Sequence, residues 1–192
     1  MFIDKTKFKK MVNTAYKKEG LTVSNDGDGI IICGGGVWVI WKRESRLPKT
    51  IKAILIELIG ELPGPGEEYN TAKEDMDPWE PYDGKFRFLR ENQEEQELYK
   101  SKIVLDMPRG PYRIYKQEDR KVMAVREEIV KMVSIRDLED CEYYPDNPGK
   151  MGEGAIWRND RCILWAARMD AGKGQVEKLF KLLENLELQD ER

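Results

Sequence analysis

Apolar residues with helical spacing mark four segments of the chain. Over residues 8–16 and 51–62 they recur at intervals of three and four, which places them on one stripe of an amphipathic helix. The same spacing predicts a third helix over about residues 118–134 and a fourth over residues 173–188. Polar and charged residues fill the remaining positions of each segment. The pattern therefore predicts four helices that each bury one face.

Runs of β-branched and aromatic residues predict three hairpins. The first joins residues 29–33 to residues 37–42 through three glycines, which supply the positive φ angles of a tight turn. The others are predicted over residues 103–115 and 154–168. Because residues 37–41 are apolar on both faces of the strand, we expect this strand to be central in its sheet.

The early and late parts of the chain match when they are aligned. Residues 27–31 correspond to residues 152–156, and residues 39–41 correspond to residues 163–165 after a one-residue difference in the turn. Each hairpin then leads into a helix with the same apolar spacing. A duplicated unit is the simplest explanation. Coincidence stays open, because any two hairpin-helix units share alternating apolar positions.

The sequence thus predicts an α+β fold of two similar halves. Each half is a β-hairpin followed by an amphipathic helix, with an antiparallel sheet covered by helices. We place an N-terminal half of αββα type at residues 1–62 and a C-terminal half at residues 85–192. Residues 63–84 contain four prolines and are predicted to form a long connecting loop without packed elements.

Composition narrows the environment of the protein. Of 192 residues, 40% are hydrophobic and 36% are charged, and the formal net charge is −3. The hydrophobic fraction is enough for a core inside an ionic surface. The nearly balanced charge disfavours a protein that coats nucleic acid nonspecifically. The longest apolar run, residues 37–41, is far shorter than the roughly 20 residues of a membrane span. The N-terminus lacks the apolar region of a secretion signal, so a cytoplasmic location is expected.

The chain contains no histidine. This excludes Ser-His-Asp and Cys-His nucleophiles and histidine-ligated metal sites. The three cysteines, Cys33, Cys141 and Cys162, are widely spaced and suggest buried thiols rather than a disulfide framework or a zinc site. Carboxylate, lysine, tyrosine or cysteine chemistry remains, as does Mg²⁺ or Mn²⁺ on oxygen ligands. No cofactor is predicted.

The loop between the halves is the first candidate binding site. Seven acidic residues and one lysine give residues 63–84 a net charge of −6. Two aromatic residues with no evident core to join lie among the carboxylates, a composition suited to docking on a basic surface. The predicted contact residues are Asp75, Asp77, Trp79, Glu80, Tyr82 and Asp83. A solvated linker is the alternative.

A second acidic run offers oxygen ligands for Mg²⁺ or Mn²⁺. Its members are Asp137, Glu139, Asp140, Glu142 and Asp146. The run lacks the glycine and the terminal glutamate of an EF-hand loop, so a solvated helix end and turn is the competing interpretation. Neither glycine cluster, at residues 34–36 and 172–174, has the surroundings of a phosphate-binding loop. The lysines of the first helix form a basic face suited at most to nonspecific phosphate contact.

Our leading hypothesis from sequence is a non-catalytic macromolecule-binding protein, an inhibitor or adaptor of the kind carried by a phage or mobile element. It would engage a basic, nucleic-acid-associated protein through the acidic loop, without direct nucleic-acid binding and without a membrane; a homodimer stays open. The alternative is a divalent-metal enzyme acting on phosphoesters. Its ligands would come from Asp75, Asp77, Asp137, Asp140 and Asp146. A third hypothesis is a self-assembling structural protein.

Overall fold

The computed structural model describes residues 2–71, 77–91, 96–134, 147–170 and 174–186. In these ranges, antiparallel strands form a nine-stranded and a three-stranded sheet, accompanied by a few helices. The prediction of an α+β protein with antiparallel sheet is confirmed at this level. None of the helices in the described ranges is long and apolar enough to cross a membrane.

The elements follow the chain in a simple order. The strands are β1 (Leu21–Asn25), β2 (Gly29–Gly34), β3 (Trp38–Arg43), β4 (Glu67–Asn70), β5 (Trp79–Pro81), β6 (Gln96–Glu97), β7 (Tyr99–Met107), β8 (Gly110–Lys116), β9 (Val122–Arg126), β10 (Gly149–Met151), β11 (Gly154–Arg158) and β12 (Cys162–Ala167). The helices are α1 (Lys5–Thr14), α2 (Lys49–Ile59), α3 (Phe88–Glu91), α4 (Glu127–Val130) and α5 (Gln175–Asn185). A π-helical turn, Ala15–Glu19, continues α1, and a 3₁₀ turn, Glu44–Arg46, precedes α2.

The two sequence-matched hairpins meet at the centre of the large sheet. Its strand order is β5-β4-β1-β2-β3-β12-β11-β10-β6, and the small sheet has the order β7-β8-β9. Where β3 pairs with β12, Ile40 lies opposite Leu164, Trp41 opposite Ile163 and Val39 opposite Trp165. Because residues 39–41 are the sequence equivalents of residues 163–165, this register is symmetric about the pair Ile40 and Leu164. The hairpins are therefore related by an approximate two-fold axis.

One face of the large sheet forms the main core. Helices α1 and α2 contribute Phe8, Val12, Ile51 and Leu55 to it, all fully buried. The small sheet packs against the same core with the inward side chains of β8 and β9. Burial of each such side chain contributes about 1.5–3 kcal/mol. The helix stripes read from the first part of the sequence therefore face the sheet as predicted.

In the part of the chain that the structure describes, the opposite face of the large sheet has a much thinner cover. Its buried side chains, among them Ile31, Val39 and Ile156, pack against Leu89 of α3. Tyr82 and Phe86, which precede α3, are half-buried against the same cluster. We call residues 82–91 the cover segment. It begins within the last three residues of the acidic loop predicted from sequence and continues beyond that loop.

The prediction of a helix over residues 118–134 is wrong. Residues 122–126 form strand β9, and only Glu127–Val130 is helical. Four consecutive residues of β9 are buried because the strand is covered on both faces: Val122 and Ala124 belong to the cluster under α5, while Met123 and Val125 belong to the main core. A strand buried on both faces loses its polar alternation, so its apolar spacing resembled that of a helix.

The prediction of an unstructured loop over residues 63–84 is also wrong in part. Residues 67–70 and 79–81 are strands β4 and β5, which extend the large sheet beyond β1. Neither segment shows a strand pattern in its sequence. Each is a strand because its main chain pairs with a neighbouring strand. The predicted hairpins over 103–115 and 154–168 correspond to β7-β8 and β11-β12.

The fourth predicted helix corresponds to α5, Gln175–Asn185. It packs on the small sheet through Leu179, Phe180 and Leu183, whereas α2 packs on the large one. The helices that follow the two matched hairpins therefore cover different sheets.

The two-fold relation between the hairpins predicts that substituting either of the paired glycines, Gly29 or Gly154, destabilises the protein to a similar extent. A methyl group on Gly29 would lie 2.8 Å from the indole of Trp41, and one on Gly154 would lie 2.5 Å from the indole of Trp165. We expect Gly29→Ala and Gly154→Ala each to lower the free energy of unfolding by about 1–3 kcal/mol through overpacking. Urea denaturation measures this.

Gly64→Ala is the matched control, since a methyl group there would meet only the end of the Glu67 side chain, at 3.1 Å. If either core variant is as stable as this control, the close glycine-indole packing is not a constraint on the fold.

A buried ion pair on the small sheet predicts acid sensitivity. The Arg113 guanidinium donates to both carboxylate oxygens of Glu127, at 3.0 and 2.8 Å. Burial raises the pKa of Glu127, but the hydrogen bonds and charge of Arg113 outweigh burial, and the pKa is lowered overall. A lowered folded-state pKa gives stability that is present above the unfolded pKa and is lost as the pH falls through the folded value.

We therefore expect the melting temperature of the wild type to fall more steeply than that of Glu127→Gln as the pH is lowered below about 4.3. At neutral pH the variant should be less stable by about 1.5–3 kcal/mol. Thermal unfolding followed by circular dichroism at a series of pH values tests both statements. Parallel pH profiles for the two proteins would contradict this role of the pair.

Candidate functional site

Strand β5 forms one outer edge of the large sheet and contains part of the predicted site. Glu80 lies opposite Glu68 of β4. The amide of Tyr82 donates to the carbonyl of Gly66 at 2.8 Å, so residues 66 and 82 are a hydrogen-bonded pair. The next pair along the strands, residues 67 and 81, is therefore one whose members form no hydrogen bond with each other. In an antiparallel ladder the next pair exchanges both bonds. The amide and carbonyl of Glu80 are therefore directed inward, toward β4.

The backbone groups of the two flanking residues are directed outward. The amide of Trp79 already donates to the Asp77 carboxylate at 3.0 Å, and Pro81 has no N–H to offer. Within residues 79–81 the outer edge thus presents carbonyl oxygens and no free N–H. A partner strand needs both donors and acceptors, so this edge is unsuited to strand addition. It is suited to side chains that only donate.

Carboxylates surround these carbonyls. Asp77 and Asp83 are exposed, Glu80 is half-buried, and Glu67 is exposed on the adjacent strand. The Asp83 carboxylate accepts the amide of Lys85 at 2.9 Å, which fixes the turn after β5. We call residues 77–83 the acidic edge. Backbone and side-chain acceptors together make it an anionic, acceptor-rich surface.

Both aromatic residues of the predicted site pack against the protein. Trp79 meets Tyr69 edge to face, with ring centroids 5.0 Å apart. Tyr82 packs on the thinly covered face of the sheet, and its hydroxyl accepts the amide of Phe86 at 3.0 Å. Burial raises the pKa of Tyr82. The interpretation that these rings have no core to join is therefore wrong, although Trp79 stays half-exposed at the edge.

One buried carboxylate fastens the cover segment next to the acidic edge. Glu68 is 1% exposed. It accepts the Ser24 hydroxyl at 2.6 Å and forms an ion pair with Lys85, the third residue beyond Tyr82. Because an unpaired buried charge is costly, Lys85 is held over Glu68. The start of the cover segment is therefore fixed by charge.

A second polar cluster fastens the other end. The Arg90 guanidinium pairs with Asp26 at 2.8 Å and with Asp28 at 2.7 Å. It also lies over the ring of Trp41, 5.4 Å from the centroid, and the Trp41 indole donates to Asp26 at 3.2 Å. Charge pairing and the cation-π contact act on the same arginine. The cover segment is therefore anchored at both ends.

Several predicted site residues lie outside the described part of the chain. Asp75 is one of them, and so is the whole acidic run 137–146. In the described ranges no group of three or more histidine, cysteine, aspartate or glutamate residues is arranged to hold a metal ion. Of the five carboxylates that the metal hypothesis names, Asp77 is described and exposed, and the other four lie outside the described residues, so the hypothesis stays a prediction.

The described cysteines and the glycine turn agree with their plainer interpretations. Cys33 and Cys162 are buried thiols outside any disulfide, and burial raises the pKa of the Cys33 thiol, which makes it a poor nucleophile at neutral pH. Cys141 lies outside the described residues. The glycines after β2 form the turn that leads to β3.

Sequence reasoning missed the polar residues that position the site. Glu68 follows another glutamate, and nothing in the sequence distinguishes the buried member of this pair. Ser24 and Arg90 do not belong to any sequence motif that would single them out. Asp26 does lie in a stretch of aspartate and glycine residues that signals a turn, but its pairing with a residue 64 positions later depends on tertiary structure.

Comparison with known proteins gives no family. No protein-family model matches the sequence, and no curated protein matches it. Among solved structures the chain is similar to the DNA polymerase sliding clamp from Bacillus subtilis, with a TM-score of 0.38 and 9% identity. It is also similar to the β chain of DNA polymerase III from Streptococcus pneumoniae TIGR4, with a TM-score of 0.33 and 10% identity. The β subunit from DNA polymerase of Streptococcus pyogenes matches with a TM-score of 0.35 and 11% identity.

Each of these matches covers 92% of this chain and 66% of the other. The chain therefore spans just under two thirds of the length of these structures. A TM-score below 0.5 does not establish a shared fold, so no function is inferred from the likeness. What the fold and the site define is a class: an α+β protein with antiparallel sheets and an anionic, acceptor-rich sheet edge.

The ion pair at Glu68 predicts a large effect of a single substitution. Lys85→Met leaves the Glu68 carboxylate buried, and among the described residues the Ser24 hydroxyl is then its one remaining partner. We expect the free energy of unfolding to fall by about 3 kcal/mol, because breaking a buried pair strands a charge. Urea denaturation measures the loss.

Arg87→Met is the control, since Arg87 is an exposed basic residue of the same segment. Glu68→Gln added to Lys85→Met should restore part of the stability. Equal stability of Lys85→Met and Arg87→Met would show that the pair does not anchor the segment.

Proposed function

We propose that the protein is a non-catalytic binding module that engages a basic surface of another protein through the acidic edge. The observation that carries this proposal is the acceptor-only backbone of β5 beside the carboxylates of Asp77, Glu80 and Asp83. Lysine and arginine side chains have donors and no acceptors. They match this surface better than a strand, an anion or an apolar peptide.

Local charge supports the same partner class. Among the described residues 77–83 there are three carboxylates and no basic side chain. Basic surfaces are typical of nucleic-acid-handling proteins, which hold phosphates with them. A protein that covers such a surface acts as an inhibitor or an adaptor. Trp79, half-exposed beside the carboxylates, supplies an aromatic contact of the kind that contributes strongly to interfaces.

We also propose that the two matched hairpins descend from one duplicated unit. The symmetric pairing of β3 with β12 supports this, and so do equivalent contacts. The Trp41 indole donates to Asp26, and the Trp165 indole donates to the carbonyl of Met151. Asp26 and Met151 precede their matched glycines by three residues each. The unlike placement of α2 and α5 limits the equivalence to the hairpins.

Neutralising the acidic edge should weaken binding to a cationic probe. The variant is Asp77→Asn with Glu80→Gln and Asp83→Asn, and the probe is a fluorescent peptide of alternating arginine and glycine. We expect the dissociation constant to rise about tenfold at low salt, since each exposed charge contributes a few tenths to 1 kcal/mol. Fluorescence anisotropy measures it, and raising the salt should shrink the difference.

A control variant changes the net charge equally at other exposed acids: Glu57→Gln, Asp106→Asn and Glu118→Gln. It should bind the peptide nearly as the wild type does. If both variants lose affinity to the same extent, overall charge governs binding and the acidic edge is not the site.

A further inference from the structure

A cleft opens where the two sheets join, away from the acidic edge. The sheets meet through a bridge between Val125 and Arg168, and the amide of Met169 donates to the carbonyl of Ala124 at 2.7 Å. The cleft has a volume of about 840 Å³. Small-molecule sites are commonly clefts of about 300–1,000 Å³, and they favour junctions between structural units. Its size and position fit such a site.

The walls of the cleft are largely apolar. They come from the β2-β3 turn, the β7-β8 turn, the end of β12 and the start of α5. The apolar side chains are Val37, Met107, Pro108, Ala167, Met169 and Val176. A ligand that fills the space must therefore have an apolar body.

Three arginines and two acidic residues, Glu19 and Asp170, line the same cleft. Arg126 pairs with Glu19, at 3.4 Å, and with Glu128, while Arg168 pairs with Glu153. Arg109 differs from both: it is exposed at the β7-β8 turn, and in the described part of the chain it has no ion pair or hydrogen bond. Its guanidinium is available to an anion, and guanidinium groups bind carboxylates with two parallel hydrogen bonds.

The cleft also contains an unsatisfied acceptor. Glu19 lines it, and while one carboxylate oxygen faces Arg126, the other, Oε2, is buried and accepts no hydrogen bond. A buried polar atom without a partner is costly. The Glu19 side chain as a whole is 26% exposed, so a rotation of its carboxylate would bring Oε2 to the surface of the cleft, where an N–H group of a ligand would satisfy it.

We propose that this cleft binds a small organic anion that carries an apolar chain and an amide N–H, the chemistry of an N-acyl amino acid. The carboxylate would pair with Arg109, the N–H would donate to Glu19 Oε2, and the acyl chain would lie on the apolar walls. Each part of the ligand answers one feature of the cleft. The site is separate from the acidic edge and does not depend on the binding of a basic partner.

Isothermal titration calorimetry with three related probes tests the proposal. N-octanoylglycine, used below its critical micelle concentration, should bind the wild type. Its methyl ester, which lacks the charge, should bind at least tenfold more weakly, and undecanoate, which keeps the charge and chain but lacks the N–H, about fivefold more weakly. Arg109→Ala should weaken the binding of N-octanoylglycine about tenfold, so that the acid and its methyl ester bind this variant with similar affinities.

Arg46→Ala is the control, because Arg46 is also exposed and lies in the turn before α2, outside the cleft. It should leave all three affinities unchanged. The proposal is overturned if N-octanoylglycine does not bind at millimolar concentration, if acid and ester bind the wild type equally, or if Arg46→Ala weakens the acid as much as Arg109→Ala does.

Discussion

The pairing of β3 with β12 is the interaction on which the rest of the structure depends. It joins two hairpins that lie more than 100 residues apart in the sequence through a continuous register from residue 38 to residue 42. Side chains on both faces of these strands are buried: Ile40 and Leu164 in the main core, Val39 and Ile163 in the cluster beneath the cover segment. Both cores therefore form around one strand pair. Because the pairing is symmetric, each hairpin presents equivalent residues to the other.

The two faces of the large sheet are closed by different physical means. Apolar stripes of α1 and α2, together with the small sheet, close the main core, so the hydrophobic effect dominates there. Among the described residues, the other face is covered by the cover segment, which is held by the ion pairs of Lys85 with Glu68 and of Arg90 with Asp26. Such pairs give little net stability, but their loss strands a buried charge and is costly. They fix where the segment lies, and hence the position of the acidic edge, whose last two residues are the first two of the segment.

The structure describes five of the six predicted site residues and gives them an arrangement that composition did not suggest. Its acidic residues were predicted from composition, and Asp77 and Asp83 are exposed at a sheet edge. Composition could not show that residues 79–81 form a strand, because their hydrogen bonds come from β4 and the sequence has no alternating pattern. It could not show that Trp79 packs on Tyr69 either. The acceptor-only edge follows from strand register and from the position of one proline, which are tertiary facts.

The sequence by itself determined the α+β class, the two matched hairpins, three of the four predicted helices and the central position of β3. These depend on local periodicity, since apolar side chains must share a face within one element. Tertiary structure decided what periodicity cannot express: that residues 122–126 are a strand covered on both faces, that α5 packs on the small sheet, and that Glu68 rather than Glu67 is buried. The physical reason is the same in each case. A side chain's environment is set by the element packed against it, and that element lies far away in the sequence.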